Sequence, residues 1–402
     1  MKQQIIIAGN GFAGTWAALS AARAVALAGK EDSIAITVVA PQAELQMRPR
    51  LYEQALEGMA PDLAPLFAAV GVRHLAGWVQ DVDAEARRVT VQGVDGERQV
   101  LDYDRFILAT GSQVFRPELP GLSEYAFDVD QLDSARALER HLADLAARPE
   151  SPARNTVVIA GGGFTGIETA AEMPQRLRSA LGLDASVRVV VLEQADAIGP
   201  DLGPVPRPVI EAALAELGVE VMTGARVAAV DAGGVTTADG RRFEAATVIW
   251  TAGMRANPLA ATIGAGHDRF GRVPADAWLR ADGVPGVFVT GDVARAATDG
   301  EGNLAAMSCQ HALSLGRVAG HNAAAELAGL PLHPYSQPKY VTCLDLGPWG
   351  ALYTEGWDRQ VRLTGAEGKA LKRAINTEWI YPPKAEREAA FANANPDFVI
   401  VP

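Results

Sequence analysis

A short apolar strand that runs into a glycine-rich turn and then into alanine-rich helical sequence occurs twice in this chain of 402 residues. The first copy reads Ile5-Ile6-Ile7-Ala8-Gly9-Asn10-Gly11-Phe12-Ala13-Gly14, and the second Val157-Val158-Ile159-Ala160-Gly161-Gly162-Gly163-Phe164-Thr165-Gly166. A Gly-x-Gly-x-x-Gly turn between strand and helix lets the backbone approach a pyrophosphate closely, while the helix N-terminus supplies N–H donors and partial positive charge. Alone the motif is a weak signal. Its place between a strand and a helix, in both copies, is what gives it weight.

The repetition extends further. Gly71-Val72-Arg73-His74-Leu75-Ala76-Gly77 is echoed by Gly218-Val219-Glu220-Val221-Met222-Thr223-Gly224, and both run into alternating residues that end at Asp83 and Asp231. Hairpin signals follow at Asp95-Gly96 and Asp239-Gly240. Phe106-Ile107-Leu108-Ala109-Thr110-Gly111 is then matched by Val248-Ile249-Trp250-Thr251-Ala252-Gly253. Common α/β patterns would produce one glycine turn by chance, but not four features in the same order, so two related dinucleotide-binding modules are expected.

Residues 117–121 read as a linker, and residues 132–145 carry apolar side chains at helical spacing. A third apolar strand, Val287-Phe288-Val289-Thr290, meets Gly291-Asp292, and beyond about Leu330 prolines 331, 334 and 338 mark a change of texture. The expected architecture is α/β: two Rossmann-like dinucleotide-binding domains, the second inserted in the first, plus a small C-terminal region. The expected spans are 1–119 and 247–330 for the first domain, 120–246 for the second and 331–402 for the C-terminal region.

The two modules differ at the end of the strand after the glycine helix. In the second, Arg188-Val189-Val190-Val191-Leu192 finishes on Glu193, whose carboxylate would accept hydrogen bonds from ribose hydroxyls and repel a 2′-phosphate, favouring NADH over NADPH. A solvated strand-end glutamate is the plainer alternative. In the first, Ile36-Thr37-Val38-Val39 ends on Ala40-Pro41, and the ribose carboxylate is missing. Two dinucleotide modules with no substrate domain of obvious size suggest that one site holds FAD and the other NADH, so hydride transfer needs alignment of the two rings and no protein nucleophile.

Ala109-Thr110-Gly111, Thr251-Ala252-Gly253 and Thr290-Gly291-Asp292, together with the paired glycine turns, resemble the two-dinucleotide-binding flavoproteins of the pyridine nucleotide-disulfide oxidoreductase superfamily, from the first strand to about residue 330. By that resemblance Gly9, Gly11, Gly14, Arg48, Val79, Ala109, Thr110, Gly111, Gly291 and Asp292 contact FAD, with Asp292 on the ribitol. Gly161, Gly163, Gly166, Glu193 and Gly253 contact NADH.

Within the superfamily the chain is most similar to the type II NADH:quinone oxidoreductases. Gly163-Phe164-Thr165-Gly166-Ile167-Glu168 resembles their second motif, which implies that Glu168 orients the carboxamide or relays a proton. A first-turn glutamate favoured by the helix dipole is the alternative. Arg48-Pro49-Arg50-Leu51-Tyr52-Glu53 stands where disulfide reductases carry a cysteine pair, so disulfide and sulfide chemistry are poor matches. Arg48 is either a contact to FAD or a surface arginine.

Cys309-Gln310-His311-Ala312-Leu313-Ser314 corresponds to the quinone enzymes' Ala-Gln-x-Ala-x-Gln: Gln310 and Ala312 are kept, whereas Ser314 replaces the second glutamine. Gln310 is thereby expected beside the flavin. The helix that starts near Ser308 would turn its N-terminus toward the flavin and stabilise its anionic reduced form. Residues 343–350 either line the acceptor cavity with Trp349 or pack an aromatic core, and Cys309 and Cys343 are read as core residues.

The expected acceptor is a small molecule of quinone type. A net charge of -12 argues against nucleic acid or an anionic membrane surface as the main partner. Lys369-Ala370-Leu371-Lys372-Arg373 is a weak membrane anchor, so contact with a membrane would be peripheral at most. The expected location is cytoplasmic, at most peripheral on the inner face of the cell membrane, and a homodimer is compatible with all of this. Two distant cysteines and scattered histidines give no support for a metal. The residues also leave open an NADH-dependent ferredoxin-type reductase, and a slow-turnover redox sensor resembling apoptosis-inducing factor.

Overall fold

A computed structural model describes residues 2–399, so Met1 and residues 400–402 of the expected terminal spans lie outside the described residues. The first strand, Gln3–Ala8, is buried from Ile5 onward and lies within a seven-stranded sheet. Ile34–Ala40 and Arg105–Leu108 flank it in parallel, and Val287–Val289 adds beyond Arg105–Leu108. Near-continuous Val and Ile runs suit strands covered on both faces. On the other edge, Arg73–Asp83 pairs in parallel with Ile34–Ala40 at its start, then bulges near Val79 and opens an antiparallel hairpin with Arg88–Gly93 and Arg98–Asp102.

The second module repeats the plan. Thr156–Ala160 is flanked by Arg188–Leu192 and Thr247–Trp250 in a five-stranded parallel sheet, and a separate three-stranded antiparallel sheet carries the expected hairpin. Its counterpart of the long bent strand is broken into Val219–Met222 and Val227–Asp231. Thr247–Trp250 therefore sits beside Thr156–Ala160 inside the second sheet, whereas a division at 247 would assign it to the first unit. We place the return to the first unit after Trp250. Main-chain continuity from Gly253 supports this, because Met254–Ala256 pairs with Ser112–Val114 as the two crossing segments run antiparallel.

Two helices packed against each other set the geometry of the first unit. Phe12–Leu27 follows the first glycine turn, and Cys309–Ala328 lies along it. A Cβ at Gly316 or Gly320 would fall 2.4 Å and 2.1 Å from the carbonyl oxygens of Ala13 and Ala17, so the contact requires glycine at both positions. The longer helix is capped by the Ser308 hydroxyl, which accepts from the His311 N–H, and this capped end borders the central cavity.

The C-terminal region does not stand apart. Its antiparallel sheet, Val341–Asp345, Ala351–Glu355 and Gln360–Leu363, buries Leu344, Leu346 and Leu352 against the second module. Trp349 packs there as well, which decides for the aromatic-core reading of that residue. The last helix, Arg387–Asn393, returns to the first unit, where Ala390 and Ala394 join its core and Arg387 bonds Glu31 at 2.7 Å.

Candidate functional site

A single cavity of about 1630 Å³ runs past both glycine turns and ends against the C-terminal region. That is larger than the ~300–1,000 Å³ that houses one drug-sized ligand, and it suits two long molecules meeting. The glycines divide by what demands them. Gly9 adopts φ +97°, and a Cβ there would lie 2.6 Å from the Ala109 oxygen; one at Gly14 would lie 2.0 Å from the Gly9 oxygen. At Gly11, with φ -63°, a Cβ would meet nothing within 4 Å.

The second turn is built in the same way. Gly161 and Gly166 are pinned by Ala252 N at 2.9 Å and the Gly161 oxygen at 1.9 Å, while Gly163 is open. The protein itself requires the outer glycines; only something in the cavity would require the middle ones. Gly11 and Gly163 are also the N-cap residues of their helices, with no side-chain cap and no acidic residue in the first turn, so N–H donors face the space beside them. Thr110 lines the cavity, and its hydroxyl is buried without a partner within the chain. These features suit bound pyrophosphates.

Around the first turn, Gly9, Gly11, Arg48, Val79, Ala109, Thr110, Gly111, Gly291 and Asp292 line the cavity; Gly14 lies behind them, packed on Gly9. Asp292 accepts from the Ser112 hydroxyl at 2.6 Å and lies 3.8 Å from the Arg48 guanidinium. Arg48 is no free surface arginine, since it pairs with Asp130 and donates to that residue's carbonyl oxygen at 3.1 Å. Asp130 belongs to the segment entering the second module, so Arg48 ties the two units together at the cavity wall. Beyond Pro41, where a ribose carboxylate is missing, Gln42 and Glu44 line the cavity, and nothing in the spacing had marked either.

At the second turn Gly161, Gly163, Glu193 and Gly253 line the cavity, with Gly166 again behind. Glu193 is not a solvated strand end. It is buried, and its two oxygens accept from Gly162 N at 2.7 Å and Ala195 N at 2.8 Å. These bonds fix the orientation of the carboxylate at the cavity edge, with lone pairs remaining for hydroxyl donors.

Where the two arms meet, Glu168 and Gln310 line the same cavity. Glu168 is buried, and its Oε1 accepts from the Lys372 ammonium at 2.8 Å and from Asp345 N at 2.9 Å. Burial pushes its carboxyl up to about 7 against the pull of the Lys372 charge. The buried ammonium of Lys372 also donates to the Cys343 carbonyl oxygen at 3.0 Å; burial works to lower its pKa, but the adjacent Glu168 charge and hydrogen bond outweigh it and hold the pKa above the usual value. Gln310 donates to the Val341 carbonyl oxygen at 2.9 Å. Both cysteines pack with the core, as expected, and also border the cavity; they form no disulfide, the Cys343 thiol donates to the Gly368 carbonyl oxygen at 3.9 Å, and burial raises Cys309 to about 11 and Cys343 to about 12.

Sequence reasoning missed Lys372. The stretch read as a weak anchor is the end of helix Gly365–Ala374, in which Lys372 is buried and Lys369 bonds Asp345 at 2.5 Å; among its three cations only Arg373 is exposed. A lysine buried at that spacing carries no local mark. A first consequence concerns pH. A folded-state carboxyl raised above its unfolded value contributes stability that is complete below about 4.5 and is lost as pH climbs through about 7. Glu168→Gln is therefore expected to flatten the decline of the urea midpoint across that window relative to the parent; an identical pH slope in the two proteins would contradict the assignment.

A model of the family described as pyridine nucleotide-disulphide oxidoreductase matches residues 3–316. An NADH dehydrogenase-like protein of Mycobacterium tuberculosis is 46% identical over 383 residues, covering 94% of this chain and 94% of that one. The type II NADH:quinone oxidoreductase NdhA of the same species is 31% identical over 320 residues, 73% of this chain and 66% of its own length. In fold, the chain is similar to NDH2 from Plasmodium falciparum solved in complex with NADH, with a TM-score of 0.77 at 14% identity over 98% of both chains.

Proposed function

Because the chain belongs to the pyridine nucleotide-disulphide oxidoreductase family, we propose that it is an FAD-dependent NADH dehydrogenase that passes electrons to a quinone or quinone-like acceptor. One observation carries this reading: a single cavity passes the open middle glycines of both turns and brings both arms to Glu168 and Gln310. The 46% identity to an NADH dehydrogenase-like protein supports the donor half, and the quinone-reducing relative supports the acceptor half.

The first unit is assigned to FAD, held at Gly11, Thr110 and Asp292, and the second to NADH, held at Gly163 with Glu193 at the ribose. Flavin and nicotinamide, once bound, supply the hydride transfer and the storage of the electron pair between half-reactions. The chain's own groups bind, orient and manage protons. The helix N-termini at Gly11 and Gly163 would hold the pyrophosphates, and the Ser308-capped helix end would stabilise negative charge beside it. Glu168 and Lys372 hold a proton at Oε1 and Nζ on the cavity wall, and a carboxyl near 7 gives or takes it at neutral pH. Leu371, Ile375, Trp379 and Ile380 close the far end with apolar surface, which suits a flat, weakly polar acceptor.

Among the described residues no helix is long and apolar enough to cross a membrane, and the lysines of helix Gly365–Ala374 are turned inward, which supports a contact with the membrane that is peripheral at most. The deciding experiment is anaerobic stopped-flow: NADH is expected to bleach the flavin rapidly, and a soluble menaquinone or ubiquinone analogue to restore its colour rapidly. Failure of NADH to bleach would overturn the donor assignment, and fast bleaching with slow reoxidation would overturn the quinone.

A further inference from the structure

Behind Glu168 lies a second charged cluster that neither glycine turn explains. Asp345, at the end of strand Val341–Asp345, is buried, yet its carboxylate takes three donors: the Lys369 ammonium at 2.5 Å, the Tyr52 hydroxyl at 3.0 Å and Gly347 N at 2.9 Å. Its own N–H is the second donor to Glu168. The turn after Asp345 is locked against the Glu168 helix, because a Cβ at Gly347 would fall 2.4 Å from the Ala171 carbonyl oxygen. Asp345 thus reaches the Glu168 carboxylate through a backbone that has no room to shift.

The geometry points to Asp345 as a positioning residue for Glu168, with Lys369 governing how much of its negative charge the carboxyl beside the cavity feels. The inference rests on the reading of Glu168 as the proton-holding group of the proposed reaction. Asp345 is an anion close to another anion, and it disfavours ionisation of Glu168; Lys372 does the opposite. The remaining groups facing Glu168 are Tyr52, Cys309 and Cys343, all pushed above their usual values by burial and neutral at pH 7, and Glu172 one helical turn away. Lys369 lies 3.8 Å from Glu172 as well as against Asp345, and its side chain is 31% exposed. This half-buried lysine therefore offsets the Asp345 carboxylate, the like charge that acts on Glu168.

The two variants carry opposite signs. Asp345→Asn keeps an Oδ1 to accept from Gly347 N, turns its amide NH2 to the Tyr52 hydroxyl oxygen and removes the like charge, so Glu168 should release its proton about one pH unit lower or more. Lys369→Gln, at a half-buried position, removes the ammonium that lies against Asp345, so Glu168 should release its proton at higher pH. The readout is the infrared carboxyl band of the as-purified protein titrated without NADH, with Glu168→Gln as the blank that assigns the band. Midpoints that move down in Asp345→Asn and up in Lys369→Gln establish the inference. Midpoints that stay put, or move together, overturn it. Turnover is not part of the measurement: an enzyme that ignores NADH while these midpoints move as stated would refute the proposed function and leave the positioning role standing.

Discussion

A Gly163→Ala variant is expected to purify folded and yellow, with the flavin spectrum of the parent, yet to need more than roughly tenfold more NADH for half-maximal anaerobic bleaching, the loss expected when ~1.4 kcal/mol or more of binding is removed. The methyl group meets nothing in the protein, and the backbone at this residue has an ordinary negative φ of -79°. The fold has no reason to notice it. The cavity does, because the methyl occupies the space beside the unsatisfied N–H groups at the start of helix Phe164–Leu181, where a pyrophosphate must come close. Gly166→Ala, three residues on, serves as the contrast. Its Cβ would be driven to 1.9 Å from the Gly161 oxygen and 2.8 Å from the Thr251 hydroxyl oxygen, so that variant should lose stability, by about 1–3 kcal/mol or more for forced overpacking. Unchanged NADH dependence in Gly163→Ala would remove the nicotinamide dinucleotide from the second turn.

The same distinction explains what could be read from the residues and what could not. Strand, glycine turn and helix are local: Gly9 and Gly161 are demanded by backbone conformations with φ of +97° and +115°, and the apolar runs before them by burial on both faces of a sheet. The hairpins at Asp95-Gly96 and Asp239-Gly240 are equally local, and all of these stand where the pattern puts them. Strand membership at a crossing is not local. Thr247–Trp250 looks like a copy of Arg105–Leu108, and both are central strands, but only the pairing with Thr156–Ala160 shows which sheet holds it.

Charge is the harder case. Lys369 and Lys372 sit three apart on a short helix, a spacing that reads as one basic face. The structure turns that face inward, to Asp345 and to Glu168, which is 204 residues away from Lys372 in the chain. No periodicity announces a partner at such a distance. What could have been suspected is the demand side: a glutamate in the first turns of a helix that follows a buried strand is bound to be buried itself, and a buried carboxylate calls for a cation. Glu193 shows the alternative solution, since backbone N–H groups satisfy it and it needs no lysine.

The second large effect follows from that demand. Lys372→Met keeps the length and apolar stem of the side chain but removes the ammonium that lies 2.8 Å from Glu168. Losing one partner of a buried ion pair costs about 3–5 kcal/mol when the other charge has nowhere to go. Glu168 does have an escape, because its carboxyl, already raised to about 7, moves higher still without the cation and takes up a proton. The sign with pH is therefore definite. The variant should approach the parent in urea stability in acid, where Glu168 is protonated in both, and fall progressively below it as pH rises through about 7 and the parent's Glu168 ionises beside its lysine. Adding Glu168→Gln should recover much of the deficit at high pH, since the uncompensated charge is gone, and a double-mutant cycle measures that coupling. In the proposed reaction the same variant should leave bleaching by NADH within a few-fold and slow reoxidation by a quinone analogue about 10²-fold or more, the scale of one lost acid–base group. A stability deficit with that pH sign but no change in reoxidation would make the Glu168–Lys372 pair a structural strut between the second module and the C-terminal region; slow reoxidation at a pH where stability is equal would make it the proton-handling pair, because only the chemistry still distinguishes the two proteins there.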